Sequence, residues 1–132
     1  MKKAILALAA ATVALSAPVA VQAKPKLTPE QKLAKMLEGR VAGKPTSCIN
    51  LSTARESTII DKTAIVYNDG STIWVNKPKF PNHLDDDDIM VTETHGSQLC
   101  RLDVVRMHDR TNFMWSGFVS LEDFVPYRKV RG

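Results

Sequence analysis

The stretch Ala64-Ile65-Val66-Tyr67-Asn68-Asp69-Gly70-Ser71-Thr72-Ile73-Trp74-Val75 decides the fold class. Two runs of β-branched and aromatic residues flank Asp69-Gly70, a pair that tolerates positive φ, which is the signature of a two-residue type I′ hairpin turn. Counting outward from Asn68 opposite Ser71 pairs Val66 with Ile73 and Ala64 with Val75 on one face. Ile65 with Trp74 and Tyr67 with Thr72 then share the other. Both faces are largely apolar, so the hairpin belongs inside a sheet, its second face covered by a helix or by the C-terminal segment.

The flanking sequence extends this pattern. Upstream, Cys48–Leu51 and Ser57–Asp61 read as short strands. Further upstream, Thr28-Pro29-Glu30-Gln31 combines an N-cap, a proline at the first helical position and a capping-box Gln, predicting a helix over about 29–38. Leu33, Met36 and Leu37 form its apolar stripe and Gly39 its stop. Downstream, Lys77–Asn82 with Pro78 and Pro81 reads as an exposed loop, and Ile89–Thr92 resumes extended structure. Gln98–His108 alternates with Cys100, Leu102 and Val104 on one face, and adjacent Val104-Val105 implies a bulge or bend that places Val105 and Met107 inward. Asp109–Ser116 reads as a polar loop, and Ser120–Asp123 as a capped turn that ends by Pro126. The expected fold is mainly β, a small antiparallel sheet or partly open barrel of about five to six strands with one short N-terminal helix.

The chain opens on Lys2-Lys3, an apolar stretch Ala4–Leu15, then Ser16, Pro18 and Val21-Gln22-Ala23. A basic start, a short apolar middle and a small-residue cleavage site make a secretory signal peptide, expected to be cut after Ala23. The apolar stretch falls short of the roughly 20 residues that span a bilayer. Removing 23 of the 132 residues leaves 109, from Lys24 to Gly132, enough for one domain. The 18 basic and 14 acidic residues include Lys2 and Lys3, so the mature chain has 16 against 14, a net of +2. Basic residues are interspersed with acidic ones except for Arg128, Lys129 and Arg131, so nucleic acid is not an expected partner. The location read from the leader is periplasmic or secreted, and no transmembrane segment is expected in the mature chain.

An oxidising compartment and an even count of two cysteines predict a disulfide between Cys48 and Cys100. Neither cysteine lies in a CxxC or Cys/His cluster that would favour metal or nucleophilic chemistry.

Candidate chemistry centres on Asp85, Asp86, Asp87 and Asp88, four consecutive carboxylates near His83 and His95. Dense aspartates suit calcium, and His83, His95 and one aspartate suit zinc, but neither spacing is diagnostic. Successive aspartates on an extended chain point in opposite directions, so a solvated acidic loop is the favoured reading. No cofactor is otherwise expected. GxSxG, HExxH and Gly-rich phosphate loops are missing from the sequence. His108-Asp109 would point apart on a strand, and Glu122-Asp123 suit the first turn of a helix. No catalytic residue is assigned, and an envelope-acting enzyme ranks third among the functional readings.

Phe113, Met114, Trp115 and Phe118 cluster in what reads as a loop, which suggests an interaction patch. With 4 Phe, 2 Trp and 2 Tyr in the whole chain, the favoured expectation is that they fold back to complete the core. The leading functional reading is a non-enzymatic periplasmic binding or envelope-associated accessory protein, its partner an envelope protein or a small ligand. The alternative is a metal-binding module built on His83–Asp88.

Cys48-Ile49, Ile60-Asp61 through Ala64-Ile65-Val66-Tyr67, Cys100 with Asp103, and the ending Gly117-Phe118-Val119-Ser120-Leu121-Glu122-Asp123-Phe124-Val125-Pro126-Tyr127 resemble a family of short, signal-bearing, exported bacterial proteins without an assigned activity. The resemblance implies an exported, Cys-paired β domain and carries no catalytic role onto this chain.

Overall fold

The computed structural model describes residues 10–131. The basic start and early apolar part of the expected leader, residues 1–9, lie outside them. Residues 10–28 form neither helix nor strand and are exposed. No helix among the described residues is long and apolar enough to cross a membrane.

Among the described residues the fold is mainly β and antiparallel, with one short α-helix. Helix α1 (Pro29–Met36) starts at the expected capping box. The Thr28 side chain accepts from the Gln31 N–H, and the Gln31 side chain accepts in return from the Thr28 N–H. Ten strands follow: β1 (Arg40–Ala42), β2 (Cys48–Asn50), β3 (Glu56–Ile60), β4 (Ala64–Asn68), β5 (Thr72–Asn76), β6 (Asp88–Thr92), β7 (Gln98–Cys100), β8 (Val104–Asp109), β9 (Trp115–Ser120) and β10 (Phe124–Lys129). They form a five-stranded sheet in the order β1-β10-β5-β4-β3, a three-stranded sheet β6-β8-β9 and a two-stranded ribbon β2-β7. The sheets do not close into a barrel.

The β4–β5 hairpin is central and apolar on both faces, as expected, but its register differs by two residues. Asn68 lies opposite Ile73 and Val66 opposite Val75. The Asp69 N–H donates to the Thr72 carbonyl, so the two turn residues are Gly70 and Ser71, with only Gly70 at positive φ (+94°). That is the φ pattern of a type II′ turn, in which glycine takes the first position. The Asp69 carboxylate selects it by accepting from the Thr72 N–H at 2.7 Å and the Trp74 indole at 3.1 Å. A two-residue shift preserves side-chain parity, so the expected faces survive.

One face carries Ile60, Ala64, Val66, Ile73 and Val75, covered by Leu33 of α1 with Met36 and Leu37 at its margin. The other carries Ile65, Tyr67 and Phe124, packed against Val105, Met107 and Val119 of the three-stranded sheet and Ile49 and Leu99 of the ribbon. The layers are therefore helix, sheet and sheet. Cys48 lies opposite Cys100 on β2 and β7, and the two form the expected disulfide.

The count of strands exceeds the five or six expected: β1 and β9 are additional, and two further strands have local causes. Leu102 adopts φ +71°, which ends β7 and starts β8 in a different sheet. That turn accounts for the phase change read at Val104-Val105 and leaves Leu102 and Val104 exposed. Secondly, Ser120–Asp123 forms no helical turn, and Phe124–Lys129 is an interior strand containing Pro126. The Pro126 carbonyl accepts from the Gly43 N–H, so its missing N–H also faces the β1 side, where residues 43–45 are not in the ladder. No β5 hydrogen bond is lost, which is why proline is tolerated there.

Candidate docking surface

The three-stranded sheet has two unlike faces. Its inner face presents Met107, Val105 and Val119 to the core. On the outer face, register places Ile89, His108 and Trp115 in one row and Val91, Arg106 and Phe118 in the next. Trp115, Phe118 and Val91 are all exposed there, and Met114 and Phe113 extend the surface into the β8–β9 loop. Trp115 and Phe118 stack with centroids 6.5 Å apart and planes 18° from parallel.

Trp115 reaches this face because of a β-bulge. Gly117 and Val119 point inward, so strict alternation would turn Trp115 inward as well. The register slips between Met107 and His108, with Gly117 opposite Met107 but Trp115 opposite His108, leaving Ser116 as the extra residue. One inserted residue reverses the side-chain direction beyond it and returns Trp115 to the side of Phe118. The Ser116 hydroxyl donates to the Asp88 carboxylate, which is largely buried, and so anchors the bulge.

The β8–β9 loop is also held firmly. The Asp109 carboxylate accepts from the backbone N–H groups of Thr111 and Asn112, and the Asn112 side chain accepts from that of Met114. The Phe113 N–H donates to the Asp109 carbonyl, and the Phe113 carbonyl lies 3.1 Å from His108 Nδ1. Phe113 sits at φ +59°, a costly conformation for an aromatic residue. The loop holds this strain while keeping Phe113 69% and Met114 67% exposed. The expectation that Phe113, Met114, Trp115 and Phe118 complete the core is therefore corrected: the core closes with Phe124, Met107, Leu84 and Leu121 instead.

The aspartates of the acidic loop take separate tasks. Asp85 forms a turn, its carboxylate accepting from the Asp87 N–H and its carbonyl from the Asp88 N–H. Asp86 pairs with Lys32 of α1 at 3.3 Å, Asp87 faces Arg110 at 3.9 Å, and Asp88 turns inward to Ser116. His83 packs over Gly117, where a Cβ would lie 3.5 Å from its Nδ1, and His95 lies in the turn between β6 and β7. Among the described residues, the carboxylates that converge are Asp61, Asp85 and Asp86, whose ligand atoms lie within 4.8 Å of one another; neither histidine joins them. Asp61 was not part of the sequence-derived set. It arrives through the β3–β4 turn, where the Lys62 N–H donates to the Leu84 carbonyl.

His108 and Asp109 serve the loop in different directions, and of the second doublet Asp123 faces Arg101 at 3.6 Å while Glu122 is held through its backbone by Asn76. Comparison with protein-family models, curated proteins and solved structures yields no match.

Proposed function

We propose that this chain is an exported, non-enzymatic binding domain of the bacterial envelope, which docks another envelope protein on the outer face of its three-stranded sheet. The observation that carries the reading is the bulge at Ser116, which puts Trp115 beside Phe118 in solvent although an inward direction was the default. At roughly 200 Å² per ring, the three aromatic side chains leave on the order of 400 Å² of apolar surface in water, before Met114 and Val91 are added. A patch of that size matches the largest one on a typical monomer, which is often functional, and supports an interaction site here. It suits a transient interface, since stable ones bury about 800 Å² per partner. The strained, hydrogen-bonded loop keeps the patch preorganised, which lowers the entropy cost of docking. The signal-type leader, the Cys48–Cys100 disulfide and the resemblance to exported bacterial proteins support a periplasmic or secreted location.

The test is a Trp115→Ala/Phe118→Ala variant, studied in cells with a photo-crosslinking residue at position 114. The thermal midpoint is expected to stay near the parent's, because both rings are more than half exposed. A discrete crosslinked partner is expected with the parent patch and not with the variant, the loss corresponding to about 2 kcal/mol or more of a hot-spot contact. Unchanged crosslinking, or a variant that fails to fold, would reject the reading.

A further inference from the structure

We infer that the cleft between β3 and β6 accepts an extended segment of a partner protein carrying basic side chains, which adds as a strand bridging the two sheets. β3 ends the five-stranded sheet and β6 ends the three-stranded sheet, so each presents one unpaired edge. Both line one cleft of about 340 Å³, through Ser57, Thr58 and Ile59 on one wall and Asp88, Ile89 and Met90 on the other. Such edges carry rows of backbone donors and acceptors that an incoming strand can satisfy.

On the β6 side the Asp88 backbone is already satisfied, its N–H donating to the Asp85 carbonyl and its carbonyl accepting from Arg110, so the open edge lies beyond it. Arg110, which also lines the cleft, donates from Nε to the Asp87 carbonyl at 3.2 Å and from Nη2 to the Asp88 carbonyl at 3.3 Å. Three lining residues on the β3 wall and the two beyond Asp88 on the β6 wall correspond to roughly 7–10 Å of strand, two to three residues of a ligand. Ile59 and Met90 are half-buried and pack against the main core, so an inward-facing residue of the added strand would meet apolar side chains. Charge selects the outward residues. Asp61, Asp85, Asp86 and Asp87 gather at this end against Lys32, Lys62 and Arg110, an excess of one carboxylate. The Lys32–Asp86 pair is solvent-exposed and readily exchanged for a ligand's cation. Alternating basic and apolar residues therefore fit. The cleft is separate from the aromatic face and the inference does not depend on it.

The test is backbone hydrogen exchange on the intact domain with a synthetic Lys-Val-Lys-Val-Lys-Val peptide, its Glu-Val counterpart, and a Lys-Val peptide N-methylated at alternate amides. Outward amides within 57–59 and 89–91 are expected to gain about tenfold or more in protection with the first peptide only. Asp85→Asn/Asp86→Asn is expected to weaken that response several-fold, and Trp115→Ala/Phe118→Ala to leave it intact. The inference is overturned by equal response to the Glu-Val or N-methylated peptide, by protection arising at β1 or β9, by loss of the response in the aromatic variant, or by no response at millimolar peptide. It is also overturned if the edge amides are already protected in the free chain and released on removing residues 24–27, since the cleft would then be filled from within.

Discussion

Tyr67→Phe is expected to stabilise the protein. Tyr67 is 4% exposed in the centre of β4, its ring edge-on to Phe124 with centroids 5.9 Å apart. Its hydroxyl is buried without a hydrogen-bond partner among the described residues. Burying an unpaired hydroxyl costs about 1–3 kcal/mol, and phenylalanine retains the ring while removing that cost. A gain of about 1–2 kcal/mol is expected, which is several degrees in the thermal midpoint of a domain of this size. The same burial pushes the Tyr67 phenol well above its ordinary value of 10.0. A raised folded-state pKa means that the unfolded chain ionises first. The contribution is whole below pH 10 and is lost as pH rises beyond it, at up to about 1.4 kcal/mol per pH unit. Urea unfolding of parent and variant at pH 7 and across pH 9–11 separates the two effects. The expected result is a higher midpoint with unchanged slope at neutral pH, and a shallower alkaline decline for the variant. A variant less stable at pH 7 would refute the reasoning, because it would mean that the hydroxyl has a partner such as a bound water.

Replacing both cysteines by alanine is expected to cost about 4 kcal/mol, since the bridge closes a loop of sequence separation 52; urea unfolding with and without reductant measures it. Asn76→Ala is expected to cost about 2–4 kcal/mol, because buried Asn76 donates to the Glu122 carbonyl at 2.6 Å and accepts from the Glu122 N–H at 3.1 Å, and both groups lose their partner. Deleting Ser116 removes the extra residue and leaves Trp115 directly before inward-facing Gly117 and opposite His108, so the ring stays on the outer face while the hydroxyl bond to Asp88 is lost. A loss of about 1–3 kcal/mol is expected because the largely buried Asp88 carboxylate loses that donor, while the Trp115 emission, assigned in a Trp74→Phe background, stays that of an exposed indole; a blue-shifted emission would refute the alternation argument.

Much of the fold was legible because its signals are local. The α1 capping box depends on four consecutive residues, and all of its hydrogen bonds form. The faces of the β4–β5 hairpin depend only on period-two parity, which a two-residue slip cannot change. The turn itself was misread because an Asp-Gly pair permits two placements of the loop. The choice fell to the Asp69 side chain, which bonds Thr72 and Trp74, the latter five residues away. β10 was hidden for a related reason. Pro126 signals termination in the sequence, and its tolerance rests on Gly43 lying opposite, a pairing between residues 83 positions apart.

The docking surface was half legible, and the missing half follows from one inserted residue. Phe113, Met114, Trp115 and Phe118 stand out as large apolar residues close together, but spacing alone does not say which way each points. On an unbroken strand Trp115 shares a face with Gly117 and Val119, and the economical reading sends it to the core. Reversing it requires the bulge at Ser116, and that bulge is anchored by Asp88, 28 positions away and at the end of a run that reads as an acidic loop. The aspartate run and the aromatic cluster are thus two ends of one arrangement. Asp88 anchors the strand that turns the aromatic pair outward, while Asp85 and Asp86 charge the cleft on the opposite edge of the same sheet. A composition-based reading separates these features because it treats each run of residues as a unit. The structure divides the run residue by residue, and the division leaves an exposed apolar face and a polar unpaired edge on one small sheet.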